Sequence, residues 1–100
     1  MTAQTTTKPR KPSLRWRKPK APTGLARVCW TQYENRELTY GGEVLARVCA
    51  QRDRMGRGEL LGWYWYGGVG EDRVNTCGAL VATREECQDA CIAWIRAKLT

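Results

Sequence analysis

The 100-residue sequence contains no histidine, and neither its one serine nor any of its five cysteines stands in a recognisable nucleophile motif. Without histidine, the chain lacks the commonest general base and the commonest metal ligand. The glycines of GGVGED at 67–72 are followed by no lysine, so they do not form a phosphate-binding loop. These absences predict a non-enzymatic protein with no cofactor and no small-molecule substrate.

Long apolar runs are also missing. The longest one, LLGWYWY at 60–66, is strand-sized, whereas a membrane span needs about 20 apolar residues. The basic N-terminus is not followed by the apolar segment of a secretory signal. We therefore expect a cytoplasmic protein that does not contact a membrane.

The sequence has five cysteines, an odd number, and their spacing is irregular. This argues against a complete disulfide framework and fits a reducing compartment. Cys87 and Cys91 are four residues apart and would share one face of a helix. They are suited to core packing or, together with Cys77, to metal ligation. Because the chain has no C-x-x-C pair, core packing is favoured and no metal is predicted.

Acidic residues are absent from positions 1–20, whereas KPRKPSLRWRKPKAP at 8–22 holds seven lysines and arginines and all four prolines. Residues 21–100 carry ten basic and ten acidic side chains, so the whole formal charge of +7 lies in the first fifth of the chain. Proline and charge with little apolar content predict a flexible, extended basic arm over residues 1–23. A single domain is predicted over residues 24–100.

Such an arm can bind a polyanion, dock on an acidic protein surface or promote solubility. We favour nucleic acid, because each neutralised phosphate releases condensed counterions. Trp16 is flanked by two arginines and is suited to stack on a base, and three arginines near a predicted hairpin tip extend the positive strip. The candidate nucleic-acid-binding residues are Lys8, Arg10, Lys11, Arg15, Trp16, Arg17, Lys18, Lys20, Arg52, Arg54 and Arg57.

For the domain, the sequence predicts three strands followed by a helix. Apolar runs predict strands at 25–33, 43–51 and 60–66, with ENRE at 34–37 as a polar connection and DRMGRG at 53–58 as a hairpin turn. A turn region at 68–78 leads to a short extended piece, ALVA, at 79–82. Thr83 and Glu86 have capping-box spacing, and apolar residues then repeat at helical spacing. The predicted fold is α+β, a three-stranded antiparallel sheet backed by one C-terminal helix, preceded by the disordered arm.

Alternation along the third strand places Leu61, Trp63 and Trp65 on one side of the sheet. Leu60, Gly62, Tyr64 and Tyr66 fall on the other side. A single helix covers one side, and we expect it to cover the tryptophans because indole rings bury the most area. The tyrosine side is then left for solvent, a second subunit or a ligand, which makes Tyr64 and Tyr66 the candidate partner-binding residues.

The order of three strands followed by a helix that starts at ATREECQDA, residues 82–90, resembles two groups of DNA-binding domains. These are the arm-binding domains of tyrosine recombinases and the plant ethylene-response type, in which a three-stranded sheet lies in the major groove. The resemblance implies DNA as the target.

In general character, the basic leader and small body are also similar to accessory proteins of bacteriophages and prophages, among them anti-CRISPR and other anti-defence proteins. We predict a small binding protein whose basic arm contacts nucleic acid or a nucleoprotein complex. The alternative is an anti-defence protein that inhibits a host complex by protein–protein binding. A homodimer through the tyrosine side is a further possibility.

Overall fold

A computed structural model describes residues 13–24, 34–53 and 58–100 of the chain. Within these residues, an antiparallel sheet carries a single C-terminal helix on one side. The elements are β1 (Leu14–Arg17), β2 (Arg36–Tyr40), β3 (Glu43–Arg52), β4 (Leu60–Val69), β5 (Asp72–Asn75) and α1 (Arg84–Leu99).

The sheet is a meander in which strands that are consecutive in sequence are also neighbours in space. Gly41 and Gly42 link β2 to β3 with φ angles of 60° and 86°. Positive φ at both central residues is what a two-residue type I′ turn requires, and glycine adopts it without a Cβ clash. Since Val69 pairs with Asp72, two residues also form the turn between β4 and β5. These tight turns keep successive strands antiparallel.

The α+β class is confirmed. The predicted strands at 43–51 and 60–66 form β3 and β4, which pair as an antiparallel hairpin. The predicted extended piece at 79–82 is present as a bridge between Val81 and Trp63, with backbone hydrogen bonds of 2.9 Å in both directions.

The sheet has five strands, and the prediction of three is wrong. The first additional strand, β1, lies within residues 1–23, so predicted disorder is wrong for the four residues that pair with β2. The second, β2, begins inside the predicted connection at 34–37 and runs beyond it. The third, β5, lies in the predicted turn region at 68–78. Each is only four or five residues long and gains its stability from its neighbours in the sheet.

Three predicted features lie outside the described residues. They are the N-terminal part of the arm at 1–12, the predicted strand at 25–33, and the hairpin tip at 54–57.

The core lies between α1 and the tryptophan side of the sheet, as predicted. Leu38, Val48 and Trp65 from the sheet are almost completely buried. Trp65 meets Trp94 of α1 edge to face, with ring centroids 5.6 Å apart. Burying each large apolar side chain contributes about 1.5–3 kcal/mol. The helical side chains in this core are Cys87, Cys91 and Ile95.

The predicted position of Leu61 is wrong. It was expected on the tryptophan side of the sheet, but the residue is 52% exposed. The pairing of β3 with β4 is irregular between Gln51 and Arg52, which takes Leu61 out of the regular alternation.

The helix begins where its sequence predicts. The Thr83 side chain accepts a hydrogen bond of 3.1 Å from the backbone N–H of Glu86, which is the N-cap half of the capping box. Near the other end, the Lys98 ammonium lies 3.5 Å from the Asp72 carboxylate of β5. In the described part of the chain, no helix has both the length and the apolar character that crossing a membrane requires.

Candidate nucleic-acid interface

The side of the sheet opposite α1, here called the open face, is organised by one row of side chains that crosses all five strands. Cross-strand pairing joins Arg17 to Glu37, Glu37 to Arg47, Arg47 to Tyr66 and Tyr66 to Asn75. Side chains of paired residues point to the same face of a sheet. With strands about 4.8 Å apart, this row spans roughly 19 Å.

Glu37 lies between Arg17 and Arg47 in the row and is buried. Its side chain is 8% exposed, and its two carboxylate oxygens accept hydrogen bonds of 3.0 Å from Arg17 Nε and 2.9 Å from Arg47 Nε. Burial acts to raise the pKa of Glu37, but the hydrogen bonds from Arg47 and Arg17 outweigh it and hold the pKa below its ordinary value of 4.5. Glu37 is therefore ionised and holds two guanidinium groups together.

Both guanidinium groups still reach solvent, since the side chains of Arg17 and Arg47 are 54% and 46% exposed. Two more arginines share this face. Arg15 lies two residues before Arg17 on β1, and Arg73 of β5 pairs with Gly68, two residues after Tyr66. Four guanidinium groups and one buried carboxylate leave the charged strand residues of this face with a net charge of +3.

The aromatic part of the open face is formed by Tyr64 and Tyr66, as the alternation predicted. Their ring centroids are 6.3 Å apart and their planes differ by 25°. Burial raises the pKa of Tyr64 to about 12, and the neighbouring Cys49 thiol adds to the shift. Two hydrogen bonds raise the pKa of Arg47: the one with Tyr66 has the larger effect, and the one with Glu37 the next. The two phenol groups are thus tied to neighbouring side chains of β3.

A shallow depression lies beside Tyr66, where β4 continues as Gly67 and Gly68. One part, of about 320 Å³, is lined by Tyr66, Gly67, Arg73, Val74 and Asn75. An adjoining part, of about 100 Å³, extends to Arg47 and the β3 backbone. Tyr66 therefore borders a depression that Arg47 and Arg73 also line.

The predicted residues are distributed unevenly around this face. Arg15, Arg17, Tyr64 and Tyr66 lie on it. Trp16 does not, because alternation along β1 turns its half-buried ring towards the core on the helix side. The stacking role expected for Trp16 therefore does not fit its position.

The other predicted cations that the structure describes do not belong to the row of paired side chains on the open face. Lys18 and Lys20 are exposed after β1 ends. Arg52 is paired with the Glu34 carboxylate and also donates to the Gly58 carbonyl at 3.1 Å, so its charge is already neutralised. The remaining predicted cations, which lie outside the described residues, are Lys8, Arg10, Lys11, Arg54 and Arg57.

Sequence reasoning missed Arg47 and Arg73. Alternation in LARVCAQR carried a signal for Arg47, since it falls between the buried Ala46 and Val48 and must point the other way. Arg73 had no such signal, because its strand was read as a turn.

The cysteines of the helix have the properties of core residues. Burial raises the pKa of Cys87 to about 11 and that of Cys91 to about 12, so both thiols stay protonated. Cys77 is exposed. In residues 13–24, 34–53 and 58–100, no three histidine, cysteine or acidic side chains converge as a metal site would require.

Function must be inferred from the open face itself. Comparisons with protein-family models, with curated proteins and with solved structures found no match for this chain.

Proposed function

We propose that the protein is a non-enzymatic nucleic-acid-binding protein whose basic leader and open face form one continuous contact surface. The observation that carries this proposal is the presence of four arginines on one sheet face, two of which share a single buried carboxylate. Two of them, Arg15 and Arg17, belong to the basic leader and enter the sheet through β1. Charge that is concentrated in the first fifth of the sequence thereby continues onto the folded domain.

Arginine suits this task because its planar guanidinium donates several hydrogen bonds to phosphate oxygens and remains charged. Nε of both Arg17 and Arg47 donates to Glu37, and Arg47 also has a hydrogen bond with Tyr66. Each guanidinium has four further N–H groups on its two outer nitrogens, so donors remain for a phosphate on both. The carboxylate also reduces repulsion between the two cations. The pair is therefore held ready, and binding loses less side-chain entropy than it would with two unrestrained arginines.

The same charges oppose the alternative of a homodimer through this face. A two-fold dimer places identical patches against each other. The described strand residues of this face carry a net charge of +3, with Glu37 as the one carboxylate among them, so they would meet the same charge on the partner. A polyanion resolves this repulsion, which favours nucleic acid over a second copy.

The salt dependence of binding tests the proposal. Fluorescence anisotropy with labelled oligo(dT) and a labelled duplex is measured between about 50 and 200 mM salt, where the slope of log affinity against log salt counts neutralised phosphates. With about five contacts, we expect a slope near −4 to −5 on duplex and near −3.5 on single strands. The double variant Arg47→Gln/Arg73→Gln should lose about 1.5 units of this slope. Deleting residues 1–12, which carry Lys8, Arg10 and Lys11, should lose about 2 units.

Arg96→Gln is the matched control, because it removes one exposed arginine from the last turn of the helix. It should leave the slope within about 0.3 of wild type, since its charge lies outside the contact surface. Binding that is insensitive to salt, or equally affected by Arg96→Gln, would refute the proposal. Capture of a cellular protein that survives nuclease and these substitutions would instead support the protein–protein alternative.

A further inference from the structure

The paired tyrosines point to the kind of nucleic acid that fits the open face. Resting on the function proposed above, we infer that Tyr64 and Tyr66 stack two bases of a single strand, with the phosphates held by Arg47 and Arg73. The open face would then select unpaired nucleic acid over a duplex.

The two tyrosine rings are spaced for bases that have separated from each other. Stacked bases in a duplex rise about 3.4 Å per residue of one strand. The Tyr64 and Tyr66 centroids are 6.3 Å apart, close to two such steps. Two rings at this spacing match an extended strand whose neighbouring bases have separated, and they do not match two adjacent bases of a continuous stack.

Base faces are accessible to aromatic rings in an unpaired strand and not in a duplex. A duplex presents only base edges in its grooves, whereas an unpaired strand exposes flat base faces that stack on aromatic rings. The depression of about 320 Å³ beside Tyr66 lies at the lower end of the range for small-ligand sites. Tyr66 lines this depression, so we expect a base to occupy it against the Tyr66 ring.

Two arginines flank Tyr66 and are positioned to bind phosphates. Arg47 is the direct cross-strand neighbour of Tyr66 on β3, and Arg73 lies on the other side, on β5. Arg47 and Arg73 line the same depression. A phosphate on either side of a base stacked on Tyr66 therefore meets a guanidinium. Since the ring contact is indifferent to base identity and the arginines contact only phosphate, we expect little sequence preference.

The ring positions are also restrained before any ligand binds. Tyr66 is tied to Arg47, and Tyr64 contacts Cys49, its pairing partner on β3. Aromatic anchors that are already placed lose little entropy on binding. Each stack is therefore expected to contribute close to the full effect of an aromatic–base contact.

The test uses the full chain with four labelled probes: oligo(dT), oligo(U), an abasic oligonucleotide with the same number of phosphates, and a duplex. We expect oligo(dT) to bind about 10-fold more tightly than the abasic strand at equal salt. Oligo(U) should show the same preference, and a difference between oligo(dT) and oligo(U) would identify DNA or RNA as the natural ligand. Because this comparison uses unmodified protein, it does not depend on the folding of any variant.

Substitutions locate the effect on the rings. Tyr66→Leu and Tyr64→Leu should each weaken oligo(dT) binding by about 10-fold and leave abasic-strand binding and the salt slope unchanged. Tyr66→Phe keeps the ring and should stay within about 2-fold of wild type. Tyr40→Leu, which changes a tyrosine of β2 paired with Leu14, is the matched control and should not affect either probe.

Equal affinity for oligo(dT), the abasic strand and the duplex would overturn the stacking inference. It would leave the proposed function intact if the salt dependence persists. Leucine variants that lower affinity for the duplex and the single strand equally would overturn it as well. Absence of salt-dependent binding to every probe would refute the proposed function and the stacking inference together.

Discussion

Replacing Glu37 with glutamine tests whether the charged row organises the sheet. In the native protein, this nearly buried carboxylate accepts one hydrogen bond from Arg17 and one from Arg47. Glutamine has the same size, but only one of its two terminal atoms is an acceptor. The variant therefore loses one of the two hydrogen bonds and its attraction for both guanidinium groups.

The magnitude follows from the exposure of the partners. Hydrogen bonds to charged groups contribute about 1.5–3 kcal/mol each when buried. Because both arginines are about half exposed, they can turn towards water, and a lost bond costs nearer 1 kcal/mol. Repulsion between two uncompensated cations about 6 Å apart adds roughly 0.7 kcal/mol even in water. We expect a total near 2 kcal/mol, which corresponds to about 10 °C in Tm for a domain of this size.

Urea unfolding followed by circular dichroism measures this loss, with Glu43→Gln as the control. Glu43 is an exposed strand residue, and its substitution should cost no more than about 0.5 kcal/mol. The pKa of Glu37 is lowered on folding, so its stabilising effect is present above the ordinary value of 4.5 and is lost as pH falls through the folded pKa. The stability difference between wild type and Glu37→Gln should therefore shrink as the solution is acidified below this range. A difference that is absent at pH 7, or that persists unchanged in acid, would refute the role given to Glu37.

Three further predictions concern the fold. Gly67→Ala should lower the free energy of unfolding in urea by more than about 2 kcal/mol, because the φ of Gly67 is 147° and a methyl group would collide with the β3 backbone. As the control, Gly42→Ala should lower it by about 1 kcal/mol, because no atom lies within 4 Å of the added methyl group. Thr83→Ala should lower stability by about 1 kcal/mol through loss of the helix cap, and an unchanged urea midpoint would contradict that assignment. Alkylation of the native protein, read by mass spectrometry at each site, should modify the exposed Cys77 well before the buried Cys91, and equal rates would show that the helix does not protect its thiol.

The sequence was sufficient for the longer elements. Strands β3 and β4 are each ten residues long and alternate through their middle parts, and α1 combines a cap with a continuous apolar stripe. Such patterns are local, so they can be read without knowing what the segment pairs with. The same alternation identified the tryptophan side as the core and left Tyr64 and Tyr66 on the other face.

The short strands could not be identified in this way. In β2, the charged Glu37 is a poor strand residue taken alone, and it becomes favourable only when arginines from two other strands neutralise it. Arg17 is 20 residues away in sequence, and Arg47 is ten. In β1, the alternation of LRWR was present, but the surrounding prolines and cations outweighed it and led to the prediction of a disordered arm.

The site was predicted in part for the same physical reason. Alternation identifies a face only after a segment is recognised as a strand, which explains why Tyr66 was found and Arg73 was not. For Trp16, the sequence neighbours Arg15 and Arg17 suggested a shared role in binding. In a strand, adjacent residues point to opposite faces, so the indole contributes to the core while its two neighbours lie on the open face.

The distribution of charge in the folded protein also changes the role of the body. Residues 21–100 are formally neutral, yet Arg47 and Arg73, both from this part of the chain, lie on the open face. Compensating carboxylates lie elsewhere, with Glu85 and Glu86 exposed in the first turn of the helix, where they interact favourably with its positive end. A balanced sequence thus folds into a polarised domain with a cationic sheet and an acidic helix start. Because a nearby phosphate responds to the local potential more than to the net charge, the proposed function predicts that the domain contributes Arg47 and Arg73 to binding, beside Arg15 and Arg17 from the leader.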